Sequence, residues 1–156
     1  MKTVWKHRGY IRITVRDLAG NILEQTELRN TVVKVGRKMW RDMLKGDIAD
    51  GQIKQFGLGD DDTATFDDET TLVNETFRKA FTAESTPADD QYQTVCYIAP
   101  AEAVGWIKEL GWFAGAGALA SPNYNTGILV SRVLWSRNKT NLESIEIVRL
   151  DSVEEG

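Results

Sequence analysis

Hydrophobic and polar residues alternate near the start of the chain. The alternation runs from Tyr10 to Arg16 and has the period of a β-strand with one buried face. Asp17 to Asn21 has the composition of a turn, and Ile22 to Glu27 is suited to return as a second strand. We therefore expect a β-hairpin at the start of the patterned region.

After this hairpin the hydrophobic spacing becomes helical. The residues that recur at this spacing are Val32, Val35, Met39 and Met43. Asn30 or Thr31 can cap the start of the helix, and Gly46 can end it. The pattern predicts one amphipathic helix over about residues 32–45.

The rest of the chain is rich in short β-branched and aromatic runs, which are typical of strands. The predicted strands are Ile53–Gly59, Phe77–Thr82, Tyr92–Ile98, Val104–Trp112, Ile128–Trp135 and Ile145–Leu150. Thr70 to Thr76 can form one or two helical turns. This order predicts a mainly β fold, a compact β-sandwich or jelly-roll-like domain with one helix. We expect an N-terminal arm at 1–9, a single domain at 10–152 and an acidic tail at 153–156.

Composition excludes several classes of function. The net charge of −4 and pI near 5.1 argue against nucleic-acid binding, which needs a surplus of cations. The chain has no apolar run of the roughly 18 residues that a membrane span needs. His7 and Cys96 are the sole histidine and cysteine, and they lie in the arm and in an apolar strand, so a Ser/His/Asp or Cys/His site is not expected.

Carboxylates are the remaining catalytic candidates. Two acids can cleave a glycosidic bond when they are held at a defined separation, but no pattern in this sequence fixes such a pair. We therefore expect a protein that is not an enzyme. A small carboxylate-dependent hydrolase is kept as an alternative.

An acidic loop follows the strand that ends at Gly59. It holds six carboxylates between Asp60 and Glu69, which is a supply of hard oxygen ligands for Ca²⁺. The candidate ligands are Asp60, Asp62 and Asp67. The loop lacks the glycine and ligand spacing of an EF-hand, so a solvated acidic loop is the other interpretation and no further cofactor is expected.

Several short motifs resemble those of small tailed-bacteriophage virion proteins. They are an Asn-Thr-hydrophobic helix start at Asn30, Gly57-Leu58-Gly59, an acidic loop leading to Leu72, Glu75-x-x-Arg78, and Glu109-Leu-Gly-Trp-Phe113. The resemblance extends from about Thr31 to Ile147.

The resemblance implies a structural role in a phage particle. It implies first a capsid decoration, or cement, protein that stabilises the head at capsomer junctions. The alternative is a tail or baseplate accessory protein that can bind carbohydrate. The partners would be further copies in a ring, a trimer by expectation, together with the major capsid protein or tail proteins. Such a protein is located in the virion and assembled in the host cytoplasm.

Two segments are candidate interfaces. Val4, Trp5, Lys6 and Arg8 lie in the predicted arm, where an aromatic gains little unless a neighbour buries it. The other interpretation of the arm is an extension of the first strand. Phe113 and Tyr124 belong to a Gly- and Ala-rich stretch, Phe113 to Gly127, whose backbone groups need partners. We expect this stretch to pack against a neighbouring copy.

Overall fold

The computed structural model describes residues 4–155. Strands make up 54% of the chain and helix 8%. The elements are β1 (Trp5–Asp17), β2 (Ile22–Asn30), α1 (Lys34–Lys45), β3 (Ile53–Gly59), β4 (Glu75–Ala80), β5 (Ala83–Ser85), β6 (Gln91–Ile98), β7 (Gly105–Ala114), β8 (Ile128–Lys139) and β9 (Glu143–Glu155).

The elements belong to two compact units. The first contains residues 4–31, 81–102 and 141–155, and the second contains Val32–Ala80 and Ala103–Thr140. The first unit in chain order is a five-stranded sheet with the order β2-β1-β9-β6-β5. The second is a four-stranded sheet with the order β4-β3-β7-β8, together with α1. All strand pairs are antiparallel.

The predicted hairpin is β1 and β2. Ile11, Ile13 and Val15 are fully buried, as the alternation predicts. The Asp17 carboxylate accepts the N–H groups of Ala19 and Asn21, each at 2.9 Å. These bonds hold the tight turn between the two strands.

The predicted helix is α1, but its predicted cap is wrong. The N-cap is Val33, which makes no side-chain capping bond. Val32 and Val33 are extended, because Val32 bridges Ser131 and the Val33 N–H donates to the Val130 carbonyl at 3.0 Å. The chain therefore passes along β8 before the helix begins.

The backbone groups at the two ends of α1 have different hydrogen-bond partners. The first helical N–H, of Lys34, donates to the backbone carbonyl of Asp67 at 2.9 Å. At the other end Gly46 has a φ of 81° and donates to the Met43 carbonyl at 3.0 Å, so the predicted helix end is confirmed. The helix start thus depends on the acidic loop.

The core of the second unit joins the helix start to the sheet. Its central cluster of buried side chains is Val33, Leu72, Phe113, Ala118 and Leu129. Phe56 and Trp112 meet edge to face on neighbouring strands, with ring centroids 5.3 Å apart. Leu72 brings the segment before β4 into this core.

The mainly β prediction with two antiparallel sheets and a single helix is confirmed for the described chain. The helical turns predicted at Thr70 to Thr76 are wrong, since this segment has no helix and its last two residues begin β4. From Trp5 onward the predicted arm lies in β1, and Val153–Glu155 of the predicted tail lie in β9. The domain boundaries at 10 and 152 stay a prediction.

Candidate functional site

Two groups of buried ion pairs lie in the second unit, one formed by Glu75 and Arg78 and the other by Arg132 with Glu109 and Glu69. Glu75 and Arg78 lie on the edge strand β4 with fully buried side chains. The Arg78 guanidinium donates to both carboxylate oxygens, from Nε at 2.7 Å and from Nη2 at 3.1 Å. Such a bidentate pair has the geometry that best offsets the cost of burying two charges.

Arg78 also holds the Gly- and Ala-rich loop. Its Nη1 donates to the carbonyls of Leu119 and Thr126, at 3.1 and 3.0 Å, and to the Thr126 hydroxyl at 2.9 Å. The Glu75 carboxylate accepts the N–H of Asn125. Both members of the ion pair on β4, Arg78 and Glu75, therefore hold residues 119–126 by hydrogen bonds.

The second group, Arg132 with Glu109 and Glu69, joins two neighbouring strands to the acidic loop. Arg132 on β8 donates from Nε to Glu109 on β7 at 2.6 Å and from Nη1 to Glu69 at 3.0 Å. Glu109 also accepts the N–H groups of Val73 and Asn74. The segment from Glu69 to Asn74 is thereby anchored on the sheet.

The buried carboxylates of Glu75 and Glu109 have hydrogen-bond partners within the protein. Each oxygen of Glu75 and each oxygen of Glu109 accepts at least one hydrogen bond from the protein. A general acid or base must face the proton of a substrate at hydrogen-bond distance. The geometry of Glu75 and Glu109 is that of structural anchors for two loops.

The acidic loop does not bring the predicted metal ligands together. Asp60 accepts the Asn74 amide at 2.6 Å, Asp62 lies 3.5 Å from Lys108, and Asp67 accepts Arg37 at 2.8 Å. Within residues 4–155 no group of three or more His, Cys, Asp or Glu side chains is arranged to hold a metal ion.

Partners within the protein stabilise the charged form of two loop aspartates. The hydrogen bond from Arg37 holds the pKa of Asp67 below its usual value. Hydrogen bonds from Thr63 lower the pKa of Asp61. Asp61 and Asp67 are therefore held in their charged form by different partners.

The prediction that Phe113 lies at an interface is wrong. Its side chain is fully buried in the core of the second unit, and the Arg78 guanidinium lies 4.1 Å from its ring centroid. A cation at this distance from an aromatic face is attracted to the ring. Phe113 thus supports the buried ion pair.

The rest of the Gly- and Ala-rich stretch is satisfied largely within its own chain. The Tyr124 hydroxyl donates to the Thr76 carbonyl at 3.0 Å, and the Leu119 and Thr126 carbonyls accept Arg78. Unpaired backbone groups were the reason to expect a neighbour at this loop, but backbone groups of Leu119, Asn125 and Thr126 are paired within the chain. Tyr124 remains partly exposed, so its interface role stays a prediction.

The other predicted interface residues lie at one end of the first sheet. Val4 precedes β1, and Trp5, Lys6 and Arg8 are part of β1, paired with β9. This is the alternative interpretation of the arm, an extension of the first strand. Trp5 is nevertheless 72% exposed.

Beside these residues the structure forms a cluster that the sequence did not predict. The Asp151 carboxylate lies 2.7 Å from Nε2 of His7 and accepts Arg149 at 2.7 and 2.8 Å. Burial raises the pKa of Asp151, but the charge of Arg149 and the hydrogen bonds from His7 and Arg149 outweigh burial and lower it. Nearby, burial and the adjacent Glu84 raise the pKa of Tyr92 to about 12.

Sequence reasoning found part of the buried network. The spacing of Glu75 and Arg78 was visible as a motif, whereas the convergence of Arg132, Glu109 and Glu69 was not. Charged residues inside apolar strand runs were the available signal, because such residues are seldom buried without a partner.

Comparison of the chain with protein-family models, curated proteins and solved structures found no match. No helix in the described part of the chain is long and apolar enough to cross a membrane.

Proposed function

We propose that the protein is a non-enzymatic structural component of a tailed-phage particle, in the first place a capsid decoration protein that stabilises the head at capsomer junctions. One observation carries the proposal. Leu72, Glu75, Arg78 and Glu109, which belong to the resembling motifs, are all buried parts of the second unit, where they pack in the core or anchor loops. The motifs thus describe a scaffold that presents loops.

The described surface offers apolar contact area. Trp5, Phe66 and Trp106 are large exposed side chains, in β1, in the acidic loop and in β7. Burial of such side chains against a partner stabilises a complex by about 25 cal/mol per Å² of apolar surface. Repetition over many copies adds avidity, which is how a decoration protein opposes the outward pressure of packaged DNA.

The homo-oligomer and the major capsid protein are the proposed partners, and the virion, assembled in host cytoplasm, is the proposed location. Quantitative mass spectrometry of purified particles of the virus that carries this coding sequence tests all of these together. A capsid role predicts on the order of hundreds of copies per particle, whereas a tail role predicts roughly three to twelve. Absence of the protein from intact particles would reject both roles.

A tail or baseplate role with carbohydrate binding is the second candidate, and Trp106 favours it. Its side chain is 55% exposed, Nζ of Lys108 lies 5.8 Å from its ring centroid, and Asn138 is its cross-strand neighbour. An open aromatic ring beside amide and ammonium donors can stack on a sugar and bond to its hydroxyls.

Binding of host-surface polysaccharide to the wild-type protein and to Trp106→Ala tests this candidate. Trp5→Ala is a matched control, because it removes an exposed tryptophan elsewhere. We expect only Trp106→Ala to lose binding. Equal binding by all three proteins, or none by the wild type, would count against a carbohydrate site.

A further inference from the structure

The start of α1 depends on the acidic loop for one of its hydrogen bonds. Val33 at the N-cap makes no side-chain capping bond, and the first helical N–H, of Lys34, donates to the Asp67 carbonyl at 2.9 Å. The first N–H groups of a helix need partners outside the helix. We call the loop segment Phe66–Glu69 the strap. The first turn of α1 keeps this partner only while the strap is in place.

Two further contacts between the strap and α1 lie at the protein surface. Nζ of Lys34 is 2.8 Å from Asp68, and Nη2 of Arg37 is 2.8 Å from Asp67. The four side chains are between 48% and 70% exposed, and ion pairs at such positions contribute little to stability. These contacts align the strap with the helix, but they do not fasten it to the sheet.

Glu69 is the strap residue that is hydrogen-bonded to the sheet. Its buried Oε1 accepts Nη1 of Arg132 at 3.0 Å and the Phe66 N–H at 2.8 Å. The other carboxylate oxygen of Glu69, Oε2, and the other terminal nitrogen of Arg132, Nη2, are both buried, and neither has a hydrogen-bond partner in the described chain. The two side chains thus share one hydrogen bond, whereas a carboxylate and a guanidinium often share two.

This incomplete pairing lowers the stability of the closed strap. A buried donor or acceptor without a partner costs free energy that hydration would recover, and a buried ion pair is stabilising only when its remaining polar atoms are bonded as well. When the strap lifts, water can reach Oε2 of Glu69 and Nη2 of Arg132. Arg132 still donates from Nε to Glu109 at 2.6 Å, so its charge keeps a partner. Lifting the strap therefore costs less than opening a segment whose buried groups are all bonded.

We propose that the strap and the first turn of α1 form one conformational unit, which opens from the sheet together while the rest of the second unit stays folded. The contact between Glu69 and Arg132 is its latch. The opening ends at Leu72, which is buried in the core, and at Asn74, whose N–H donates to Glu109. Any contact that moves the strap therefore also changes the start of α1. This inference does not depend on the proposed function.

Native-state amide hydrogen exchange of the wild type, followed by NMR at low urea concentrations, tests the shared opening. The amides of Lys34 in the helix start and of Phe66 in the strap should exchange through openings with the same free energy and the same small urea dependence. The amides of β3 should exchange more slowly, through larger openings. Exchange of Lys34 as slow as that of β3, or separate opening free energies for Lys34 and Phe66, overturns the proposal.

Glu69→Gln tests the latch, because it removes the charge that faces Arg132 and keeps the size of the side chain. We expect the Lys34 amide to exchange about tenfold faster in this variant, although that amide is bonded to Asp67 and not to Glu69. The Asn74 amide, which Glu109 holds, should keep its rate. If the variant does not fold, the wild-type measurement decides alone.

The far end of α1 supplies the controls. The Gly46 amide, which donates to the Met43 carbonyl at 3.0 Å, should exchange at the same rate in the wild type and in Glu69→Gln. Asp47→Asn removes an exposed ion pair with Lys45 at that end and should leave the Lys34 amide unchanged. Unchanged exchange of Lys34 in Glu69→Gln contradicts the latch. Equal acceleration at Lys34 and Gly46 contradicts a unit that is limited to the first turn.

Discussion

At the scale of single residues, the second unit depends on charges that are buried in pairs. Arg132 is almost completely buried and donates to both Glu109 and Glu69. Removing one member of such a set costs more than the set contributes as a whole, because the remaining charge stays buried without compensation.

We therefore predict that Arg132→Met lowers the free energy of unfolding by about 3–5 kcal/mol, measured by urea denaturation. Arg41→Met is the control, since Arg41 pairs with Asp42 on the exposed surface of α1, where an ion pair is worth at most about 1 kcal/mol. Equal losses in the two variants would show that the buried network contributes no more than a surface pair.

The carboxyl of Asp151 predicts a pH dependence. Its pKa in the folded protein lies below its usual value, so the stability that it contributes is present above the pKa of the unfolded chain, near 4, and is lost as pH falls through the folded pKa. Asp151→Asn should therefore destabilise the protein at neutral pH, and the difference from wild type should shrink below about pH 4. Thermal melting at a series of pH values measures this. A difference that stays constant with pH would exclude the carboxylate charge as its cause.

At the scale of elements, local pattern predicted most strands and the helix, because burial of one face imposes a period of two or of about 3.6 residues. Local pattern did not predict features that depend on contacts between residues distant in the sequence. The Thr70 to Asn74 segment is not helical, since Glu109 accepts the N–H groups of Val73 and Asn74. The partners of Arg132 depend on strand register, and β7 carries an irregularity between Ile107 and Glu109 that the residue pattern does not show.

The approach of α1 to β8 gives a prediction at this scale. A Cβ added at Gly36 would lie 2.7 Å from the Val130 carbonyl oxygen, which is backbone and cannot rotate away. Gly36→Ala should lower the free energy of unfolding by about 1–3 kcal/mol, although alanine favours helices. Lys38→Ala, on the exposed side of the same helix, should change it by less than about 0.5 kcal/mol. Stabilisation by Gly36→Ala would mean that the helix can shift away from β8 at little cost.

The loop anchored on β4 gives a second prediction. Lysine has one ammonium group and cannot reproduce the bidentate bond or the two carbonyl contacts of Arg78. Arg78→Lys should therefore increase amide hydrogen exchange in residues 119–126, with little change in β1 and β2. Arg37→Lys, at an exposed ion pair, is the control. Exchange that is unchanged in the loop would show that Tyr124 and the core contacts suffice to hold it.

At the scale of the whole molecule, the arrangement of the acidic loop predicts how Ca²⁺ affects the melting temperature. Because Asp60, Asp62 and Asp67 each contact a different partner, we expect Ca²⁺ to change the melting temperature no more than Mg²⁺ at the same ionic strength. A ligand that binds only the folded state raises that temperature with its concentration. A rise specific to Ca²⁺ and reversed by a chelator would mean that the loop rearranges to bind it.

The pairing of β1 with β9 has a consequence for the order in which the chain folds. These strands lie near opposite ends of the described chain and pair along their whole lengths, from Trp5 opposite Glu155 to Asp17 opposite Glu143. During synthesis the β1–β2 hairpin leaves the ribosome long before its other neighbour exists, while the second unit can already be complete. Within the described chain, we therefore expect the pairing of β9 with the β1–β2 hairpin to be a late and slow step of folding, since contacts between distant residues form slowly.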